Sequence, residues 1–333
     1  MTYFQKLEAK VQTGVIPSEI AKTLHPFYLS YVSAAKSNGQ ESSTYEPLLL
    51  KFLDLVEEQI KKPFAFEPYH RHITSPFDYY RFGLDFVRPL VIQEKSTILH
   101  EKNLNQIAQQ LKNHDNVIFL ANHQTELDPQ AISLLLEKKH PNIGKEMIFV
   151  AGHRVISDPL AIPFSKGRNL LCIFSKKYID DDPDNKEEKR LHNQRTMLQM
   201  SQLLSEGGKC IYVAPSGGRD RINQNGIVEV AAFDPQSIEM FNLMAQRAEH
   251  PTHFYPLALD TYHLMPPPEG VTKTLGEPRY TKATAIHAAF GNEIDMENFE
   301  GSTSSLSKKD KRIARAKHIW QQVKKDYHLL LGS

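Results

Sequence analysis

The sequence has little of what marks several large classes of protein. Two cysteines, Cys172 and Cys210, in 333 residues exclude a disulfide framework and indicate a reducing compartment. No run approaches the roughly 18 to 20 apolar residues that a membrane-spanning helix needs, and even the longest apolar runs, such as residues 117–121, are short. The 40 basic and 39 acidic residues leave a formal charge of +1, so no overall field favours nucleic acid as a partner.

The composition is otherwise that of a folded globular protein. Apolar residues make up 40% and charged residues 24%, with 16 glycines and 20 prolines, which excludes disorder, collagen-like repeats and coiled coil as overall descriptions. The first residues, MTYFQKLEAK, show neither the apolar core of a signal peptide nor the composition of a transit peptide. We therefore expect a soluble protein.

Helical spacing dominates the amino-terminal part. Apolar residues recur at intervals of three and four within residues 4–12, 19–33 and 45–61, which predicts a small helical bundle. Prolines cluster between residues 63 and 76 and indicate a linker. We expect His70 in this linker to be exposed and not to bind a metal.

From there the sequence alternates between short apolar runs and longer helical or irregular segments, the clearest helices being residues 130–139 and 186–205. This alternation predicts a mixed α/β domain with a largely parallel sheet flanked by helices. We therefore divide the chain into a helical bundle over residues 1–75 and an α/β domain over residues 76–333. The predicted strands are residues 117–121, 147–151, 170–174, 210–214 and 254–259.

A basic helix is expected near the carboxyl end, over residues 307–331. Apolar residues from Ile313 to Leu330 recur at helical spacing among lysines and arginines. The pattern favours a helix packed on the core with a solvated basic face. The alternative is a docking face for an acidic partner protein or an anionic membrane surface.

A histidine and an aspartate follow the first predicted strand, in the segment ANHQTELDP. Asp128 precedes Pro129, a pair typical of a helix start, where the helix dipole favours the ionised carboxylate. Asp128 can hold one ring nitrogen of His123 and leave the other to take a proton from a substrate hydroxyl. A structural histidine is the alternative. The same spacing recurs at His153 and Asp158, but the prolines after Asp158 do not continue a regular helix, so the context favours His123.

Two other strand ends carry positive charge. In APSGGRDR, the glycines let backbone amides turn towards an anion, and Arg219 and Arg221 can donate forked hydrogen bonds to phosphate; a surface turn with ion-paired arginines is the alternative. Lys176 and Lys177 follow the strand at residues 170–174. Parallel strands end at one edge of a sheet, so these groups predict a site for a substrate with a hydroxyl and a phosphate.

The sequence resembles the soluble glycerol-3-phosphate acyltransferases of plant plastids and chlamydia-like bacteria. The resemblance rests on ANHQTELDP, AGHRVISDPLAIPFSKGRNLLCIFSKK, and APSGGRDR followed by FYPLALDTY, and it covers residues 63–262. It implies transfer of a fatty acyl group from acyl carrier protein or coenzyme A to the sn-1 hydroxyl of glycerol 3-phosphate, the first step of phospholipid synthesis.

The resemblance also implies roles for single residues. His123 would be the general base and Asp128 the carboxylate that orients it. Where the relatives have a histidine after the second lysine, this chain has Tyr178, which can hydrogen-bond a phosphate without adding charge. The positions expected to bind substrate are Lys177, Tyr178, Arg219 and Arg221.

No dinucleotide or nucleoside triphosphate cofactor is expected, since the sequence has neither a GxGxxG motif nor a P-loop. No metal ion is expected, because the His-x-His pair at residues 70–72 has no further ligands nearby, and the formal charge of +1 argues against nucleic acid. The expected partners are glycerol 3-phosphate and the acyl thioester, with peripheral contact to a membrane left open. A bacterial cytoplasm is the expected location, and the plastid stroma, for a mature chain, is the alternative.

Two other functions stay open at this point. A lysophosphatidate acyltransferase would carry a Phe-Pro-Glu-Gly motif where this chain has Ala-Pro-Ser-Gly. A module that binds phospholipid or acyl carrier protein without catalysis would not need an intact His–Asp pair beside a basic cluster.

Overall fold

The computed structural model describes residues 2–180, 182–268, 278–303 and 305–332, without the side chains of Lys176 and Lys177. The helices are α1 Tyr3–Gln12, α2 Ser18–Ser37, α3 Ser42–Lys61, α4 Tyr79–Val87, α5 Glu101–Lys112, α6 Asp128–Leu136, α7 Pro141–Glu146, α8 His153–Ser157, α9 Ile162–Ser165, α10 Lys176–Asp180, α11 Lys186–Glu206, α12 Pro235–Arg247 and α13 Lys308–Leu330. The strands are β1 Tyr69–His70, β2 Thr97–Leu99, β3 Asn116–Ala121, β4 Ile148–Gly152, β5 Asn169–Ile173, β6 Cys210–Val213, β7 Arg221–Ile222, β8 Val228–Glu229, β9 Thr252–Asp260 and β10 His287–Phe290.

Eight strands form one sheet in the order β1-β5-β4-β6-β3-β9-β10-β2. The strands β5, β4, β6, β3 and β9 run parallel to one another, while β1 and β10 pair antiparallel with β5 and β9. The predicted mixed α/β class with a largely parallel sheet and an amino-terminal helical region is therefore confirmed. The five parallel strands are those predicted from the sequence, each within two residues at either end.

The central strands are mostly apolar because helices cover both faces of the sheet. In β3 every residue is buried. Val117, Phe119 and Ala121 face one apolar core, and Ile118 and Leu120 face another, as the alternation of side chains along a strand requires. Helices α5 and α6 cover the first core, and α11, α12 and α13 cover the second.

The amino-terminal helices share a core with the rest of the chain. Residues of α1, α2, α3 and α4 form one buried apolar cluster with Leu127, Ala131 and Leu134. The predicted boundary at residue 75 remains a prediction. The expectation that His70 is exposed was wrong: it is 7% exposed, because β1 pairs Tyr69 and His70 with the sheet strand β5.

The carboxyl-terminal helix α13 packs on the sheet, as its apolar pattern favoured. Ala316, Ile319, Val323 and Tyr327 are buried in the second core, whereas Ile313 is 47% exposed. The docking interpretation of its basic face stays a prediction. In the part of the chain that the structure describes, no helix has the length and apolarity to cross a membrane.

One glycine sets how closely α4 approaches the segment before β5. A Cβ on Gly167 would lie 2.5 Å from the backbone of Tyr79. We therefore expect Gly167→Ala to push α4 away and to lower the free energy of unfolding by about 1–3 kcal/mol or more. Gly152→Ala is the matched control, since a Cβ there meets nothing within 4 Å. Denaturant unfolding measures both, and equal stability of the two variants would contradict this packing.

Candidate active site

The sequence motifs converge because their strands end at one edge of the sheet. The strands β3, β6 and β9 are neighbours and run parallel. The loop after β3 carries His123, the loop after β6 carries Arg219 and Arg221, and β9 is followed by Thr261. The carboxyl edge of a parallel sheet is where α/β proteins bind ligands.

The predicted histidine and aspartate form a pair. His123 Nδ1 lies 2.7 Å from Asp128 Oδ2. The carboxylate of Asp128 also accepts hydrogen bonds from the backbone amides of Gln124, at 2.8 Å, and Thr125, at 3.3 Å, and from Thr261 Oγ1 at 2.6 Å. These donors stabilise the ionised form of a carboxylate that is only 1% exposed. Asp128 is therefore a fixed negative charge that holds the Nδ1 edge of the imidazole ring.

The position of Asp128 on α6 reinforces this charge. The helix begins at Asp128, two residues before the predicted range 130–139, and Pro129 follows in the first turn. The positive end of the helix dipole favours the carboxylate there. The His123 side chain is 31% exposed, so Asp128 holds Nδ1 while Nε2 has no hydrogen-bond partner among the residues described. The ring is thus oriented to exchange a proton at Nε2.

A second buried carboxylate ties the loop after β6 to the loop after β3. The amide of Asp220 donates to the carbonyl of His123 at 2.6 Å. The Asp220 carboxylate accepts hydrogen bonds from Asn122 Nδ2 at 2.8 Å, Gln124 Nε2 at 3.2 Å and the amide of Ala231 at 2.9 Å. Burial raises the pKa of Asp220 to about 6, although these donors oppose the rise.

Asp220 thereby ties the segment that carries the two predicted arginines to the loop that carries His123. Arg219 and Arg221 flank Asp220 in sequence, and both guanidinium groups lower the pKa of the Tyr262 hydroxyl, which burial raises overall. Arg219 Nη1 lies 3.8 Å from Glu126 Oε1, and Arg221 Nη1 donates to the carbonyl of Pro268 at 2.5 Å. Positive charge therefore lies next to the His–Asp pair, in part inside an ion-pair network.

That network includes an arginine that the sequence did not single out. Arg279 Nε lies 3.0 Å from Glu126 Oε2, and Arg279 Nη2 lies 3.0 Å from Asp158 Oδ2. Burial alone would raise the pKa of Glu126, but Arg279 and Arg219 lower it below its usual value. Glu126 thus remains ionised between two guanidinium groups.

The second His-x-x-x-x-Asp sequence does not form a pair of the same kind. Asp158 pairs with Arg279, and His153 Nδ1 is buried without a hydrogen-bond partner among the described residues. Burial lowers the pKa of His153 to about 4. These contacts agree with the sequence context, which favoured His123.

The remaining predicted binding residues follow β5. The side chain of Lys177 lies outside the described residues. Tyr178 is 40% exposed; its ring centroid lies 4.4 Å from that of His153, and Lys189 Nζ lies 4.1 Å from the Tyr178 centroid. No described contact links Tyr178 to His123, Arg219 or Arg221. Its role in binding substrate stays a prediction.

An apolar cavity opens beside His123. Its volume is about 130 Å³, and its walls come from the sheet edge, α6 and the amino-terminal helical region. His123, Glu126 and Arg279 line it together with aromatic rings. The aromatic lining residues include Phe27, Phe52, Phe86, Phe149, Phe164 and Tyr212.

Several polar residues of the site were not predicted. Gln124 and Glu126 lie inside the quoted motif, but only His123 and Asp128 were assigned roles. Thr261 directly follows a strand, so the strand-end rule applied to β3 and β6 would have found it. Arg279 lacks any local signal. Within the described ranges, no group of three or more His, Cys, Asp or Glu side chains is arranged to hold a metal ion.

The Acyltransferase family model matches residues 101–260, the segment that carries the His–Asp pair and both arginines of this sheet edge, so the protein is an acyltransferase. A chloroplast glycerol-3-phosphate acyltransferase of Pisum sativum is 37% identical over 328 residues, 97% of this chain and 71% of the relative. That of Arabidopsis thaliana is 34% identical over 327 residues, 97% of this chain and 71% of the relative. The chain belongs to the glycerol-3-phosphate acyltransferase family, which confirms the resemblance.

The raised pKa of Asp220 gives the fold a specific pH dependence. The folded protein holds this proton up to about pH 6, whereas an unfolded aspartate loses it near about pH 4. Between these values the folded state binds more protons, so the free energy of unfolding falls as the pH rises, by about 3 kcal/mol. We expect the free energy of unfolding of wild type to fall by this amount relative to that of Asp220→Asn as the pH rises, because the asparagine cannot titrate.

Urea unfolding of both proteins from pH 4 to pH 7 measures this difference. A stability difference that stays constant across the range would show that Asp220 titrates normally. Asp234→Asn is the control, because Asp234 is an exposed helix cap.

Proposed function

We propose that this protein transfers a fatty acyl group from a thioester, carried by acyl carrier protein or coenzyme A, to the sn-1 hydroxyl of glycerol 3-phosphate. The observation that carries the proposal is the 2.7 Å contact between His123 and Asp128, at an apolar cavity and beside two arginines. The names of the relatives supply glycerol 3-phosphate as the acceptor.

The chemistry follows from the orientation of His123. Its Nε2 removes the proton of the hydroxyl as the oxygen attacks the thioester carbonyl. The tetrahedral intermediate expels the thiolate, which takes the proton back from the imidazolium, so an ester and a free thiol form and the enzyme is unchanged. Asp128 stabilises the imidazolium without accepting its proton.

Direct transfer fits the state of the two cysteines. Cys172 and Cys210 are buried. Burial raises the pKa of Cys172 to about 12 and raises that of Cys210 as well. Both thiols are protonated at neutral pH, and the thiolate is the nucleophilic form, so neither is suited to carry the acyl group.

Substrate binding divides between charge and apolar surface. Arg219, Arg221 and Lys177 hold the phosphate and place the hydroxyl near His123, with Tyr178 as a further hydrogen-bond donor. The apolar cavity receives part of the acyl chain, because burial of methylene groups is favourable by about 0.8 kcal/mol each.

The relatives also bear on the alternatives. Identity over 97% of the chain to proteins named glycerol-3-phosphate acyltransferase favours this acceptor over a lysophosphatidate. It also favours an enzyme over a binding module. The relatives are chloroplastic, which supports the plastid alternative for location; the bacterial cytoplasm stays a prediction.

Removal of the base tests the mechanism. We expect His123→Ala to lower kcat by about 10²–10⁴-fold, with glycerol 3-phosphate still bound, because the phosphate contacts remain. The assay follows thiol release from acyl carrier protein and coenzyme A thioesters. His153→Ala is the matched control and should keep near wild-type kcat. Turnover of His123→Ala at the wild-type rate would refute the mechanism.

Removal of the arginines tests phosphate recognition. A hydrogen bond to a charged group contributes about 1.5–3 kcal/mol, so Arg219→Ala or Arg221→Ala should raise the KM for glycerol 3-phosphate by about 10- to 100-fold. The KM for the thioester should change little. Arg195→Ala, at an exposed position on α11, is the control. An unchanged KM in both variants would place the phosphate elsewhere.

A further inference from the structure

The inner wall of the cavity carries polar atoms that the protein leaves unpaired. Gln130 Oε1, Arg168 Nη2 and Thr281 Oγ1 are buried and have no hydrogen-bond partner among the described residues. All three residues line the cavity and are 2%, 2% and 4% exposed. Buried polar atoms almost always have hydrogen-bond partners. Three unpaired atoms on the wall of one cavity therefore indicate that a ligand or ordered water binds there.

Arg168 is the most unusual of the three. Its Nη1 donates to Ser133 Oγ at 2.6 Å, and its guanidinium carbon lies 4.9 Å from the centroid of the Tyr80 ring. Burial lowers its pKa to about 10, so it stays charged at neutral pH. In the described ranges no carboxylate forms an ion pair with it. A buried cation without a counter-ion is costly, and an anion in the cavity would remove that cost.

Gln130 and Arg168 belong to the same part of the wall. Gln130 and Ser133 are one turn apart on α6 and share a face. Gly83 of α4 is close to Gln130, since a Cβ on Gly83 would lie 3.5 Å from Gln130 Nε2. One turn earlier on α4, the ring of Tyr80 contacts the guanidinium of Arg168. The Gln130 amide, after rotation, can therefore donate to a group that Arg168 binds.

Most of the remaining lining is apolar, although His123, Glu126, Asp128 and Arg279 also border the cavity. The ring of Phe164 lies 5.5 Å from that of Phe52 and 5.1 Å from that of Phe86, between centroids. A volume of about 130 Å³ is close to that of cavities that hold one benzene molecule, about 150 Å³. The lining thus fits a carboxylate with an alkyl chain, and the cavity has room for about six carbons of that chain.

The reacting carbonyl is the other group that a guanidinium could bind. Ser133 lies five residues beyond Asp128 on α6, a rise of about 7.5 Å along the helix axis. Arg168 therefore contacts α6 at a point separated from the His–Asp pair, and this separation favours an anion inside the cavity over the oxyanion of the thioester.

We propose that this cavity binds the carboxylate of a free fatty acid, with Arg168 as its ion-pair partner and the chain among the phenylalanine rings. A bound acid occupies the space assigned to the acyl chain and so inhibits the enzyme competitively with the thioester. The inference that a fatty acid binds depends only on the structure of the cavity. The inference that it competes with the thioester also rests on the proposed function.

Calorimetric titration with octanoate and 1-octanol tests the carboxylate. We expect octanoate to bind wild type at least about tenfold more tightly than octanol, the weakening that loss of a charged hydrogen bond produces. Arg168→Met should weaken octanoate binding by a similar factor and leave octanol binding unchanged. Ser133→Ala, which keeps the charge, should bind octanoate nearly as wild type. Equal affinity of wild type for octanoate and octanol, or no octanoate binding at millimolar concentration, would overturn the proposal without any variant.

Kinetics separate this site from a catalytic role. Octanoate should raise the KM for the thioester in wild type and much less in Arg168→Met. A large fall in kcat of Arg168→Met with unchanged octanoate inhibition would mean that the guanidinium acts on the reacting carbonyl, and the proposal would be wrong. Octanoate binding that depends on Arg168 in a protein unable to acylate glycerol 3-phosphate would support the site and contradict the proposed function.

Discussion

The buried charge of Asp128 is the constraint on which the site depends. A carboxylate that is 1% exposed is stable only where donors surround it. Its donors come from the loop after β3, from His123 and from Thr261 after β9. The parallel pairing of β3 with β9 brings Thr261 to this carboxylate, while His123 and the two amides belong to the loop directly before α6.

Two buried arginines of the site differ in how the protein compensates their charge. Glu126, Arg279 and Asp158 neutralise one another in a buried network, which rigidifies the surroundings of Arg219. Arg168, buried as deeply, has only a hydroxyl and an aromatic ring as partners. Arg279 shows that this fold can give a buried arginine two carboxylate partners. The lack of such a partner for Arg168 among the described residues therefore indicates a position for an anionic ligand.

The sequence was informative wherever the pattern was local. Five apolar runs predicted the central strands. Of two His-x-x-x-x-Asp sequences that follow strands, the helix-start context of Asp128-Pro129 favoured the pair that the structure brings to 2.7 Å. The short strands β1 and β10 were missed, because two to four residues show no period and their pairing is long-range. Arg279 was missed for the same reason, since it meets Glu126 only through the tertiary fold.

The amino-terminal helices matter to the site although they carry none of its chemistry. Phe27 and Phe52 from α2 and α3 line the cavity whose opposite wall is α6 and the sheet edge. If the acyl chain lies there, the helices contribute to chain selection while the loops after β3 and β6 perform the transfer. Packing of α2 and α3 against α4 can then alter which chains fit and leave the distance between His123 and Asp128 unchanged, because the hydrogen bonds that fix that pair come from α6 and the strand-end loops.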